Sequence, residues 1–280
     1  MNKPDITMNV TCTIPSFTFP TKDTHKLSRY RWFSVLSAAF LCVALFSTPA
    51  CAGWYQVRNY TGFVGSYPVH VSLQNYDELN RGEAGQSKIE GSYYYDAHRR
   101  PIALVGTRHA DGKLVLCEVT PPDTLGDSPV VPKPIPARPN PCPMELSVDS
   151  GKMTGLWNDG RKSLVIHLQE VAQLDDTDDK SQEIKPAGEM EIPMWYHTKR
   201  YLLIGIYQQT QDCKSSMRKL RFINIRTGKM DNEMAFECGA GTVATTIFRN
   251  VWQGSNDKHV TIEFPGGFNN MGEDRDVLTE

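Results

Sequence analysis

From Gly53 to Val171 apolar and polar side chains alternate in short runs of period two, the pattern of strands that bury one face. In Pro68 to Gln74, Val69, Val71 and Leu73 share one side while His70, Ser72 and Gln74 share the other. Runs of the same kind follow at Ile89–Tyr95, Ile102–Thr107, Lys113–Val119, Met144–Val148, Lys152–Trp157 and Ser163–Val171. Turn chemistry separates them: Asp96 to Pro101, Ala110-Asp111-Gly112, Asp149-Ser150-Gly151 and Asn158-Asp159-Gly160. An Asp-Gly step between alternating runs is a strong hairpin signal, because glycine adopts the left-handed backbone that tight turns require. Successive hairpins predict an antiparallel meander over 53–173, curled into a barrel or a strongly twisted sheet.

Two stretches break the alternation. Residues 121–143 hold nine prolines in twenty-three positions. Proline removes backbone donors and favours polyproline II, so this is a stiff loop and not an interior strand. Residues 174–188 are polar and acidic (Asp175, Asp176, Asp178, Asp179) without periodicity, and read as a linker or long exposed loop. Tyr201–Gln209, Arg218–Ile225, Lys229–Phe236, Val243–Val251 and Val260–Phe264 then predict a second, smaller antiparallel unit over 189–265, with Arg226-Thr227-Gly228 as a tight turn. Residues 266–280 read as a flexible tail. Apart from a turn near Tyr76 to Asn80, no segment carries helical periodicity, so the expected fold class is all-β.

The front of the chain has a different character. Lys22, His25, Lys26, Arg29 and Arg31 precede an uncharged apolar run from Trp32 to Phe46, then Ser47-Thr48-Pro49 and the small-residue site Ala50-Cys51-Ala52. That order is the one of a secretory signal, which places cleavage after Ala52 and residues 1–52 outside the fold. The competing membrane anchor would need about twenty apolar residues. A lipoprotein modified at Cys51 is the other alternative, disfavoured by Thr48 and Pro49. The expected location is periplasmic or secreted, with no membrane span after cleavage.

Without its first 52 residues the chain has 228, with twenty-five basic against thirty acidic side chains. This net charge of −5 offers nucleic acid or anionic lipid no attractive field. Four cysteines remain: Cys117, Cys142, Cys213 and Cys238. An even number in an exported chain points to disulfides, and three connectivities are open. Equal spacing within each half favours Cys117–Cys142 and Cys213–Cys238. A zinc site lacks any C-x-x-C or clustered Cys/His spacing.

Catalytic patterns are sparse. No G-x-S-x-G elbow occurs, and oxidised cysteines cannot serve as thiolate nucleophiles. His70, His98, His109, His167, His197 and His259 lie too far apart in sequence to pair along one element, and Glu118 and Glu170 read as outward strand residues or ion-pair partners. Gly62 and Gly65 lack the lysine and the helix of a phosphate loop. No cofactor or metal is expected, and the expected function is non-enzymatic.

Two clusters carry a binding hypothesis. Tyr93, Tyr94 and Tyr95 put aromatic rings on both faces of one strand, next to Arg99 and Arg100, and tyrosine with arginine is what binding surfaces favour. Cross-strand core packing is the alternative. In the proline-rich loop, Pro132, Pro134, Pro136 and Arg138 form either a rigid gripping element or a spacer.

Gly91-Ser-Tyr-Tyr-Tyr95, Pro101 to Gly106, Leu114 to Glu118, Gly155-Leu-Trp157 and Leu164 to Leu168 together resemble the repeated strands of uncharacterised exported proteins of Gram-negative bacteria. The G-x-Y and G-x-W rhythm is also similar to that of small barrels such as avidins. The resemblance implies a β-barrel-like fold and an envelope location, and no reaction. The expected role is a periplasmic inhibitor-like or immunity-type protein with a protein partner in the cell envelope. The alternatives are a β-barrel carrier of a small ligand and an envelope enzyme with a scattered site.

Overall fold

Glycines set the hairpins of this protein: Gly112, Gly151 and Gly160 take positive φ angles of 84°, 78° and 87° at three of the predicted turns. The computed structural model describes residues 55–76, 87–120, 133–134, 139–175, 183–185, 188–210, 213–241, 246–256, 258–264 and 275–278. The chain divides into units 1–50 and 51–280. The described residues all lie in the second, and the predicted signal segment lies outside them.

The strands before the acidic stretch are β1 (Tyr55–Val64), β2 (Tyr67–Tyr76), β3 (Ser87–Tyr95), β4 (Ile102–Arg108), β5 (Lys113–Thr120), β6 (Lys133–Pro134), β7 (Met144–Asp149), β8 (Lys152–Asn158) and β9 (Ser163–Asp175). Eight of them, β1–β5 and β7–β9, pair antiparallel in chain order, and β1 closes on β9 to complete a barrel. β6 is a two-residue bridge on β5, joining Thr120 to Lys133 and Val119 to Pro134. The barrel is therefore the predicted meander, with one strand the alternation did not reveal. In β1 the register with β9 shifts between Asn59 and Tyr60, and Gly62 interrupts the apolar series.

Tight coiling explains the glycines inside strands. A Cβ at Gly106 would lie 2.0 Å from the Val115 carbonyl oxygen, and one at Gly155 2.0 Å from that of Glu145. Only glycine permits so close an approach of neighbouring strands. The barrel interior is filled by Val64, Val71, Tyr93, Leu104, Leu116, Leu146, Met153 and Ile166, among others. The interior is thus a packed core and not an open tube.

Described elements after β9 pack against the outside of this barrel. β10 (Glu183–Lys185) pairs with β9 inside the stretch expected as a linker, and its Ile184 is buried. β9 itself runs to Asp175, because Leu174 packs into the core although acidic residues follow it. A four-stranded sheet follows: β11 (Glu189–Pro193), β12 (Tyr201–Thr210), β13 (Cys213–Asn224) and β14 (Met230–Ala235). It is the predicted second antiparallel sheet. Within the strand expected over Val243–Val251, residues 243–245 lie outside the described residues and Ile247–Arg249 form a short 3-10 turn leading into β15 (Val251–Gln253). Adjacent Ile247 and Phe248 are both buried, which a two-faced strand would not do. β16 (His259–Ile262) pairs with β15 and with β17 (Arg275–Leu278), a strand within the expected flexible tail.

One apolar cluster joins the barrel's outer wall to these later elements. Val57, Ala103, Val119 and Leu174 pack there with Met190, Ile192, Met194, Trp195, Phe222 and Phe248. Polar anchors reinforce it. Trp195 Nε1 donates to the Gly91 carbonyl at 2.6 Å, and the Ile247 amide donates to Gln74 Oε1 at 2.9 Å. Glu90, buried in the same wall, accepts from the Thr246 hydroxyl and pairs with Lys88 at 2.5 Å.

Candidate functional site

The alternation of β3 sends its three tyrosines to different places. Tyr93 faces the barrel core, where its hydroxyl donates to Glu118 Oε1 at 2.6 Å. Trp157 Nε1 donates to the same oxygen at 2.8 Å. Glu118 is fully buried, not outward-facing, and its carboxylate is gathered by these two aromatic donors. Tyr95 is half-buried and meets Tyr93 and Tyr67 edge-on, with centroids 5.5 and 6.1 Å away. Tyr94 points outwards but is covered by Leu202, Ile204 and Ile206 of β12. The tyrosines therefore form no common open surface.

Of the neighbouring candidates, Arg99 takes a left-handed φ of 51° and donates to the Ile225 carbonyl at 3.3 Å. It packs across Gly228, so it ties the β3–β4 turn to the second sheet. Arg100 is exposed beside the half-buried His197, whose pKa is lowered by burial and then by the Arg100 charge. Pro134 lies in β6, while Pro132, Pro136 and Arg138 lie outside the described residues. Cys117 and Cys142 form the expected disulfide and close the loop at its base. Cys238 is also disulfide-bonded; the Cys213 side chain lies outside the described residues.

What the arrangement does build is a cleft of about 270 Å³ between the barrel wall and the second sheet. Asn59, Thr61, His70, Ser72, Tyr94 and Val171 line one side; Glu189, Glu191, Pro193 and Ile204 line the other. The barrel side is stiffened by a stack of His70 on Tyr94, with centroids 4.9 Å apart and planes 11° from parallel. His70 Nε2 also meets Asp96 Oδ1 at 3.1 Å. Asn59 joins the two sides, donating from Nδ2 to the Glu191 carbonyl at 2.5 Å. Its Oδ1 is buried and accepts no hydrogen bond. A buried acceptor left unanswered costs about 1–3 kcal/mol, and no donor among the described residues meets this atom.

The cleft is acidic. Tyr94 has its pKa raised above the usual phenol range by burial first, then by the negative charges of Glu191 and Asp96, with Arg99 opposing. It stays a neutral hydroxyl. On the sheet side Arg221 holds Glu191 at 2.5 Å, Glu233 at 2.7 Å and Glu189 at 3.2 Å. Burial works to lower the Arg221 pKa, but the Glu233 hydrogen bond and the three carboxylates outweigh it and raise it. Lys219 adds a second cation, 3.4 Å from Glu233 and 3.8 Å from Glu189. Of these carboxylates Glu189 and Glu191 line the cleft.

Sequence reasoning singled out Tyr94 but none of its partners here. Glu189-Met190-Glu191-Ile192 does alternate, and that signal would have placed two carboxylates on one face of β11. Among the described residues no group of three or more His, Cys, Asp and Glu could hold a metal ion. No described helix is long and apolar enough to cross a membrane. No protein-family model matches this chain, and a search of curated proteins finds no match.

Proposed function

We propose that this chain is an exported, non-enzymatic binding protein of the bacterial envelope, which holds a protein partner in the cleft between barrel and second sheet. The observation that carries this reading is Asn59 Oδ1, a buried acceptor that no donor among the described residues meets, set in a cleft lined by the Glu189 and Glu191 carboxylates. Such a site suits a partner segment that offers an N–H donor on a basic side chain. The rigid His70–Tyr94 stack and the apolar Val171 and Ile204 supply contact area around that charge. The secretory pattern of residues 1–52 supports the location, and the disulfides agree with an oxidising compartment.

The test uses residues 53–280 as bait on envelope extract beside the Val171→Arg variant. Val171 lines the cleft and is 44 % exposed, so arginine there adds bulk and positive charge without entering a core. A species held by the wild type and lost from the variant, at equal melting temperature, is the expected outcome. A captured species retained equally by both places the interface elsewhere and overturns the reading.

A further inference from the structure

The end of the barrel where β1 begins and β2 ends carries a second cavity, small and unlike the cleft. Its volume is about 50 Å³. Tyr60, Leu73, Ile89, Leu114, Val148 and Met153 make the walls, and Arg58 and Arg108 stand at the cavity with Gln56 and Asn75. Arg58 is partly answered: it meets Glu170 at 3.3 Å and Gln56 Oε1 at 3.3 Å. Arg108 is exposed and, among the described residues, meets no carboxylate. Two guanidinium groups against one carboxylate leave a positive charge at this mouth, in a chain that is acidic overall. The Tyr60 phenol beneath has its pKa raised by burial, with Arg58 working against it, so it remains a neutral polar group in the apolar wall.

We infer that this mouth is a binding site for a short-chain carboxylate, with the anionic head on Arg108 and Arg58 and the alkyl tail against the apolar walls. Guanidinium is the side chain suited to planar carboxylates, since its N–H groups match both oxygens. Barrel mouths are recurrent ligand sites, with apolar walls for affinity and a few polar groups for orientation. The size limits the guest. A water occupies roughly 10–15 Å³ on this measure, so the cavity takes a tail of only a few heavy atoms. The inference stands apart from the cleft, sharing none of its residues.

n-Butyrate is the probe, titrated into residues 53–280 and followed by backbone amide shifts. n-Butylammonium and inorganic phosphate are titrated in parallel. Butyrate should shift amides of β1, β4, β5 and β7 around the mouth, and bind more tightly than either comparator. Arg108→Gln should weaken it at least tenfold, and Val148→Phe, which fills the cavity, should do the same. Melting curves on both variants confirm that each is folded. Equal binding of butylammonium would overturn the charge selectivity, and phosphate binding as tightly as butyrate would overturn the role of the apolar walls. Wild-type affinity in both folded variants, or no shift with butyrate at all, would remove the site.

Discussion

The Glu118 carboxylate inside the barrel and the Asn59 amide in the cleft on its flank are buried alike but met differently. Inside, Glu118 Oε1 takes both the Tyr93 hydroxyl and the Trp157 indole at normal hydrogen-bond distances. In the cleft, Asn59 Oδ1 is as inaccessible as a core atom but accepts nothing. Buried groups that are answered fix a structure, whereas a group left unanswered holds a cost in reserve for something that arrives later.

The largest effect that would break this comparison is in the barrel core. Leu116 is completely buried, so Leu116→Ala should lower stability by about 2–5 kcal/mol in denaturant unfolding. Val165, half exposed on the outer wall, should tolerate alanine within about 0.5 kcal/mol. Similar losses at both positions would mean that the barrel interior is not the stabilising core.

The meander was legible because its hairpins announce themselves: glycine turns at 110–112, 149–151 and 158–160 marked β4, β5, β7, β8 and β9, and the aromatic run before the Asp96–Pro101 turn marked β3. β2 followed from Val69, Val71 and Leu73. β1 was not legible, since Val57 packs on the outer wall while Tyr60 and Val64 enter the core, and the glycine at 62 leaves a gap in the inward series where the strand closes the ring. β10 and β17 escaped for another reason. Each is short and polar in composition, and each exists because a neighbouring strand offers an edge, which no local pattern records. The candidate site suffered most. Three consecutive tyrosines look alike in sequence, but the pleat sends Tyr93 into the core and Tyr94 under strand β12, over a hundred residues later. The cleft itself is made by β1, β2, β3 and β9 against β11 and β12, and such a meeting is tertiary information.

A smaller effect sharpens the contrast between the answered and the unanswered group. Tyr93→Phe removes one donor from the buried Glu118 and should cost about 1–3 kcal/mol. Asn59→Ala deletes the unanswered acceptor along with one hydrogen bond, so the two changes offset, and stability should fall by less than about 1 kcal/mol. Paired urea titrations decide the order. A larger loss for Asn59→Ala than for Tyr93→Phe would show that Asn59 is an ordinary structural residue.

The smallest expected effect is a pH dependence. His197 has its pKa lowered in the folded protein by burial and by Arg100, so the unfolded chain takes up the proton first as pH falls. Its neutral form therefore fits the fold above the ordinary histidine pKa of about 6.5, and stability is lost as pH drops through that value. His197→Gln should flatten the stability profile between about pH 7 and 5. An unchanged slope would remove this residue from the account.

The central claim is that the cleft holds the partner, and amide hydrogen exchange on residues 53–280, with and without the captured envelope protein, tests it most directly. Binding in the cleft predicts slowed exchange around Asn59–Thr61, His70–Ser72, Glu189–Pro193 and Ile204, the backbone that lines both walls. Protection confined to the proline-rich stretch 121–143, with these segments unchanged, would contradict it.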